Sequence, residues 1–133
     1  MIVFIAPTKI LVDQQRSYIA GSCSGEVRAY TGETIRSRSR WKEELAPVDV
    51  MVATPELLRH ALEKHLLPVK TFSLFILDEC HNAIGRNPMA VICELIRQSD
   101  ARPRVLGLTA SPLQCKRGLI AEKIGKLSIV RRD

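Results

Sequence analysis

The sequence predicts an α/β fold in which helices flank a parallel sheet, and three observations lead there. Short strand-type runs alternate with helix-type segments along the whole chain. The strand runs are continuously apolar rather than alternating, the pattern of strands buried on both faces. Each run ends in a polar, hydroxyl-rich or acidic cluster, and in open parallel sheets ligands sit beyond the carboxyl ends of the strands. At 133 residues the chain is at most one domain, long enough to bury a real core.

The elements follow in order. Residues 2–6 (IVFIA) form a strand. Residues 8–20 form a helix, with Ile10, Leu11, Gln14, Gln15 and Tyr18 spaced to share one packed face. Residues 26–30 (EVRAY) form a strand that meets the turn signal Thr31–Gly32. Residues 36–45 (RSRSRWKEEL) form an exposed helix. Alternating bases would share one face of a strand but spread around a helix, so we read a solvated face with Trp41 anchoring the helix to the sheet. The strand 48–53 (VDVMVA) runs into helix 54–65, where Thr54 suits the N-cap and Pro55 the first helical position. A strand at 72–77, a helix at 88–99, a strand at 104–110, a helix near 116–125 and a strand at 127–130 complete the series. Internal repeats, low-complexity tracts and linkers are absent from the sequence.

Composition narrows the function. The apolar fraction of 46% with 26% charged residues describes a globular chain rather than a disordered tail. No apolar run approaches the ~20 residues of a membrane-spanning helix, and MIVFIAP lacks the basic start and long apolar core of a signal peptide. The expectation is an intracellular protein, cytoplasmic or nuclear. A net charge of +6 suits a polyanionic partner without requiring one. The four cysteines are scattered, with no paired spacing, so reduced thiols are expected rather than a disulfide framework or structural zinc site.

The stretch FSLFILDECHNAI (72–84) carries the sharpest chemical signal. A carboxylate just past a buried strand, with a second beside it, suits metal–nucleotide chemistry. One acid holds Mg²⁺, often through its water shell, and the other orients or deprotonates the water that attacks a γ-phosphate. Neighbours leaving a strand diverge, so Asp78 is assigned to Mg²⁺ and Glu79 to the water. Capping of the following helix remains an alternative for either acid.

LDECH (77–81) resembles the acidic motif II of superfamily 2 helicases, in the form used by the Dicer and RNA-sensor branch. The other strand ends are similar to the family's motifs and fall in the family's order. APTKILVDQQ (6–15) resembles motif Ia, YTGE (30–33) the TG element, ATPELL (53–58) the TP element and LTASP (108–112) motif III. DNA-repair translocases of the Hef and Fanconi type share the motif Ia pattern but typically carry alanine where Cys80 stands.

The resemblance implies a RecA-like domain of the P-loop NTPase class, using ATP and Mg²⁺ and acting on double-stranded RNA, in the helicase region of a Dicer-like protein. It implies Glu79 and Asp78 as catalytic residues, and His81, Thr109 and Ser111 as couplers of hydrolysis to nucleic acid. It implies Pro7, Thr8, Lys9, Thr31, Gly32, Thr54 and Pro55 as contacts to a sugar–phosphate backbone. Departures matter as well. The chain contains no Gly-x-x-x-x-Gly-Lys-Ser/Thr; Gly125–Lys126 is followed by Leu127 and lies at the wrong end. The family's phosphate loop would precede motif Ia, and a second RecA-like domain with arginine fingers would complete the ATP site. Residues 1–133 are therefore expected to be motifs Ia to III of a first RecA-like domain, lacking its first strand and phosphate loop. The expected consequences are strands short of backbone partners, an exposed groove, poor folding and no ATPase in the isolated chain. The alternative is a non-enzymatic, degenerate helicase-like module, or a DNA-repair helicase of the Hef/Fanconi type.

Overall fold

The computed structural model describes residues 1–32, 37–110 and 127–131, with side chains through residue 110. In chain order the elements are β1 (Ile2–Ile5), α1 (Lys9–Ser22), β2 (Val27–Tyr30), α2 (Arg38–Leu45), β3 (Val50–Ala53), α3 (Pro55–Glu63), β4 (Leu74–Asp78), α4 (Pro88–Gln98), β5 (Arg104–Thr109) and β6 (Leu127–Arg131). The helix expected near 116–125 lies outside the described residues.

All five strand pairings are parallel, and the sheet order is β2-β3-β1-β4-β5-β6. Side-chain alternation assigns the two faces. Val3, Ile5, Met51, Ala53, Phe75 and Leu77 point to one core, shared with α2, α3 and α4. Phe4, Ala6 and Val52 point to a smaller core, which α1 covers with Val12 and the half-buried Leu11 and Ile19.

Three expectations need correction. First, Ile10 and Tyr18 stand 80% and 73% exposed, and Gln14 is exposed, so they do not pack. The sheet-facing stripe is the half-buried Leu11, Gln15 and Ile19 at i, i+4, i+8, joined by the buried Val12; the predicted face mixed it with the adjacent stripe. Second, β4 lies between β1 and β5, and β5 between β4 and β6, so neither lacks a backbone partner. Third, β4 and β5 are not buried equally on both faces. Phe75, Leu77 and Val105 are at most 2% exposed, whereas Leu74, Ile76, Leu106 and Leu108 are half-buried. Among the described helices only α1 packs on that second face, beside β2 and β3, so an apolar run there does not mean two covered faces.

Trp41 anchors α2 as expected: it is 2% exposed, and its ring tilts against Tyr30 with centroids 5.4 Å apart. Tyr30 hydroxyl donates to Glu44 Oε1 at 3.0 Å, and Arg28 Nη1 donates to the same oxygen at 3.0 Å. Burial, then the bond to Glu44, pushes the Tyr30 hydroxyl up to about 12. The Tyr30 hydroxyl, then Arg28, holds Glu44 below the usual carboxylate range. Unfolded tyrosine ionises near pH ~10 while folded Tyr30 keeps its proton to about 12, so this contribution is complete below pH ~10 and lost between the two. Tyr30→Phe is expected to flatten the fall of the thermal midpoint across that window, measured by far-ultraviolet circular dichroism in parallel with the parent.

Candidate functional site

The carboxyl edge of the sheet presents its strand ends in the order β2, β3, β1, β4, β5. From β1 the chain moves to one side of the sheet, and from β4 it moves to the other. The reversal between β1 and β4 is the topological switch point where ligands bind in open α/β sheets. Pro7–Lys9 stand on one side of it and Asp78–Glu79 on the other.

Asp78, 1% exposed, closes β4. Glu79 then adopts a left-handed backbone, φ 54° and ψ 46°, a conformation costing a non-glycine residue about 1–2 kcal/mol. Its N–H donates to Asp78 Oδ1 at 3.1 Å, and a single 3₁₀ turn follows at Cys80–Asn82. The sharp turn sorts the four side chains. Asp78 and Cys80 are buried, whereas Glu79 and His81 are half-exposed toward the edge. His81 Nδ1 lies 2.8 Å from Thr109 Oγ1 at the end of β5 and 3.4 Å from Glu79 Oε2. A carboxylate at that range favours the tautomer with its proton on Nδ1. Thr109, 0% exposed, is thereby tied to the turn that carries Glu79. Ser111 lies outside the described residues.

On the other side, Pro7, Thr8, Lys9, Gly32 and Thr54 line one cavity of about 400 Å³. Three separate segments thus converge on it; Thr31 and Pro55 are not among its lining residues, and Pro55 is buried as the first residue of α3. Thr8 Oγ1 caps α1 by accepting from Leu11 N–H at 3.2 Å, and that helix has no acid in its first turn to offset its amino-terminal dipole. Thr54 makes no such cap bond. Gly32 holds φ 74°, and a Cβ there would meet nothing within 4 Å, so the backbone conformation is what requires glycine. Asp78 and Glu79 do not line this cavity.

The sequence reading missed Trp41, Arg59 and His60 as lining residues. A signal was available: Glu56, Arg59 and His60 stand at i, i+3 and i+4, the polar stripe of a helix whose Leu57, Leu58, Ala61 and Leu62 are buried.

For Mg²⁺ and ATP, the donor set fits half a site. No group of three or more metal-ligating side chains occurs among the described residues, and Mg²⁺ in nucleotide sites needs only one or two carboxylates, with water and phosphate oxygens completing its shell. Asp78 would hold it, and the chain carries no phosphate loop for the nucleotide. No described helix is long and apolar enough to cross a membrane.

The chain is similar to known proteins. The DEAD/DEAH box helicase family model matches residues 1–117. Endoribonuclease Dicer homolog 3b of Oryza sativa subsp. japonica is 40% identical over 124 residues, covering 87% of this chain and 7% of that protein. The putative ATP-dependent DNA helicase fml2 of Schizosaccharomyces pombe is 38% identical over 114 residues, covering 84% of this chain and 14% of that protein. The crystal structure of the Pyrococcus furiosus Hef helicase domain superposes with a TM-score of 0.77 at 26% identity, covering 98% of this chain and 29% of that one. The chain thus spans a small part of its curated relatives. With a RecA-like sheet, an acid pair at the switch point and a family model matching through residue 117, the chain belongs to the DEAD/DEAH box helicase family.

Proposed function

We propose that residues 1–133 are the motif Ia to III portion of an ATP-dependent helicase or translocase acting on double-stranded RNA, in the helicase region of a Dicer-like protein. The division of the carboxyl edge carries this reading: a polar cavity at the ends of β1, β2 and β3, and the acid pair tied to Thr109 at the ends of β4 and β5. Dicer relatives at 32–40% identity support the RNA assignment. When bound, Mg²⁺ supplies charge neutralisation at the phosphate oxygens.

Each residue then has a task. Asp78 would hold the metal at the end of β4. Glu79, whose side chain is 33% exposed, accepts a proton from the attacking water at its carboxylate. His81 bridges Glu79 and Thr109, so a shift of the β5 end reaches the base through two contacts. Pro7, Thr8, Lys9, Gly32 and Thr54, with Thr31 and Pro55 beside them, hold one strand by its sugar–phosphate backbone. Short hydroxyls, helix-end amides and a lysine fix phosphate position without reading bases.

A second reading, a DNA-repair helicase, is favoured by fml2 at 38% identity and by the Hef superposition. Binding separates the two. The 133-residue chain is expected to bind an RNA duplex more tightly than DNA of the same sequence, through 2′-hydroxyl contacts. Its Lys9→Ala variant should bind both more weakly, and the opposite nucleic-acid preference would favour the DNA reading. The same chain is expected to turn over no ATP, because its sequence contains no Gly-x-x-x-x-Gly-Lys-Ser/Thr loop to cradle the phosphates. ATP turnover that Glu79→Gln abolishes would overturn that expectation.

A further inference from the structure

The cavity at Pro7–Lys9 does not stop at the helix ends. It continues along α3 past Thr54 to Arg59 and His60. We propose that Arg59 and His60 form a further pair of phosphate contacts, carrying the bound strand along the polar stripe of α3 and making its affinity depend on pH.

This rests on the reading of the cavity as a nucleic-acid groove. Five to six residues separate the Thr54 cap from the pair, about 8 Å of helix rise. A strand held at Thr54 that follows α3 therefore reaches them. Arg59 Nη1 bonds Glu63 Oε2 at 2.7 Å, one turn further from the cavity mouth. That bond occupies one of five guanidinium donors, which orients the group and leaves others for a phosphate. The apolar side of the cavity, Leu57, Ala61, Leu66 and Trp41, keeps the stem of α3 fixed while its polar stripe faces the groove.

His60 supplies the pH dependence, because imidazole gains its charge within the range where phosphates stay anionic. The charged groups lining the cavity with it are Lys9, Glu56 and Arg59, and α2 contributes Trp41. Glu63 and Lys64 flank it on its own helix, and the charged pair of α4, Glu94 and Arg97, bond to each other.

The test is fluorescence anisotropy of a labelled RNA duplex with the 133-residue chain across salt and pH. Arg59→Ala should weaken binding about tenfold and flatten the plot of log affinity against log salt by about 0.9, one phosphate contact. Affinity should rise as pH falls from 7.5 to 5.5, and His60→Gln should remove most of that rise. His65→Gln, outside the cavity, should keep it. If Lys9→Ala weakens binding while Arg59→Ala and His60→Gln match the parent, the strand leaves the groove before α3 and this proposal falls alone. If the parent binds no RNA or DNA at all, the groove reading fails and the proposal with it.

Discussion

In a polypeptide that joins this chain to a phosphate-binding loop and a second RecA-like domain, Glu79→Gln is expected to lower kcat for ATP about 10²–10⁴-fold while ATP binding is retained. The substitution keeps side-chain length and the left-handed backbone but removes the carboxylate that we propose accepts the proton of the attacking water. Binding survives because Asp78 is unchanged. His81 loses its carboxylate neighbour at 3.4 Å but keeps Thr109 at 2.8 Å, so the turn itself should hold. Thr109→Val gives a contrast. It deletes the hydroxyl that meets His81 and leaves Glu79 in place, so basal hydrolysis should persist while its stimulation by nucleic acid falls. Equal loss of basal rate in both variants would show that Thr109 positions the base and does not couple it. Steady-state phosphate release with and without an RNA duplex separates these outcomes, and nucleotide binding is followed independently with a fluorescent ATP analogue.

The contrast between Glu79 and Thr109 also shows what could be read in advance. The positions of the strands and of the described helices along the chain were legible because period and punctuation agree: apolar runs of four to six residues, Thr54–Pro55 opening α3, and Gly32 after β2. The placement of the acid pair at the carboxyl edge was legible because the apolar run of β4 ends at Asp78. Contacts between strand ends were legible only through family resemblance, since nothing local in LTASP says that Thr109 lies beside His81. The left-handed Glu79 was not legible at all: its sequence is no turn motif, and the conformation is imposed by the packing of Cys80 and the bond to Asp78. Face assignment on α1 failed for a simpler reason. Gln14 and Gln15 carry no apolar signal, so two adjacent stripes could not be told apart until Val12 was seen in the core.

Trp41→Ala is expected to cost about 3–5 kcal/mol, a large share of the roughly 5–15 kcal/mol by which domains are stable. Trp41 is 2% exposed and lines two cavities. One is the cavity of about 400 Å³ at the carboxyl edge, and the other, of about 740 Å³, lies at the opposite edge beside Met1, Val48 and Leu67. The indole is the wall between them. Its removal leaves a void that its neighbours cannot close, because open space already lies on both sides. Tyr30 loses its ring partner, and with it part of the burial that raises its hydroxyl. Trp41→Phe should behave differently. Among the described side chains, Trp41 Nε1 is a buried polar atom without a hydrogen-bond partner, a state that costs about 1–3 kcal/mol. Phenylalanine loses packing area but also removes that orphan donor, so the two changes offset and the net loss should stay within about 1.5 kcal/mol. Urea titrations followed by far-ultraviolet circular dichroism compare the three proteins, since neither variant retains a tryptophan to report by fluorescence. A phenylalanine variant as unstable as the alanine one would mean that the indole N–H is satisfied in solution, by a water reaching it from one of the two cavities.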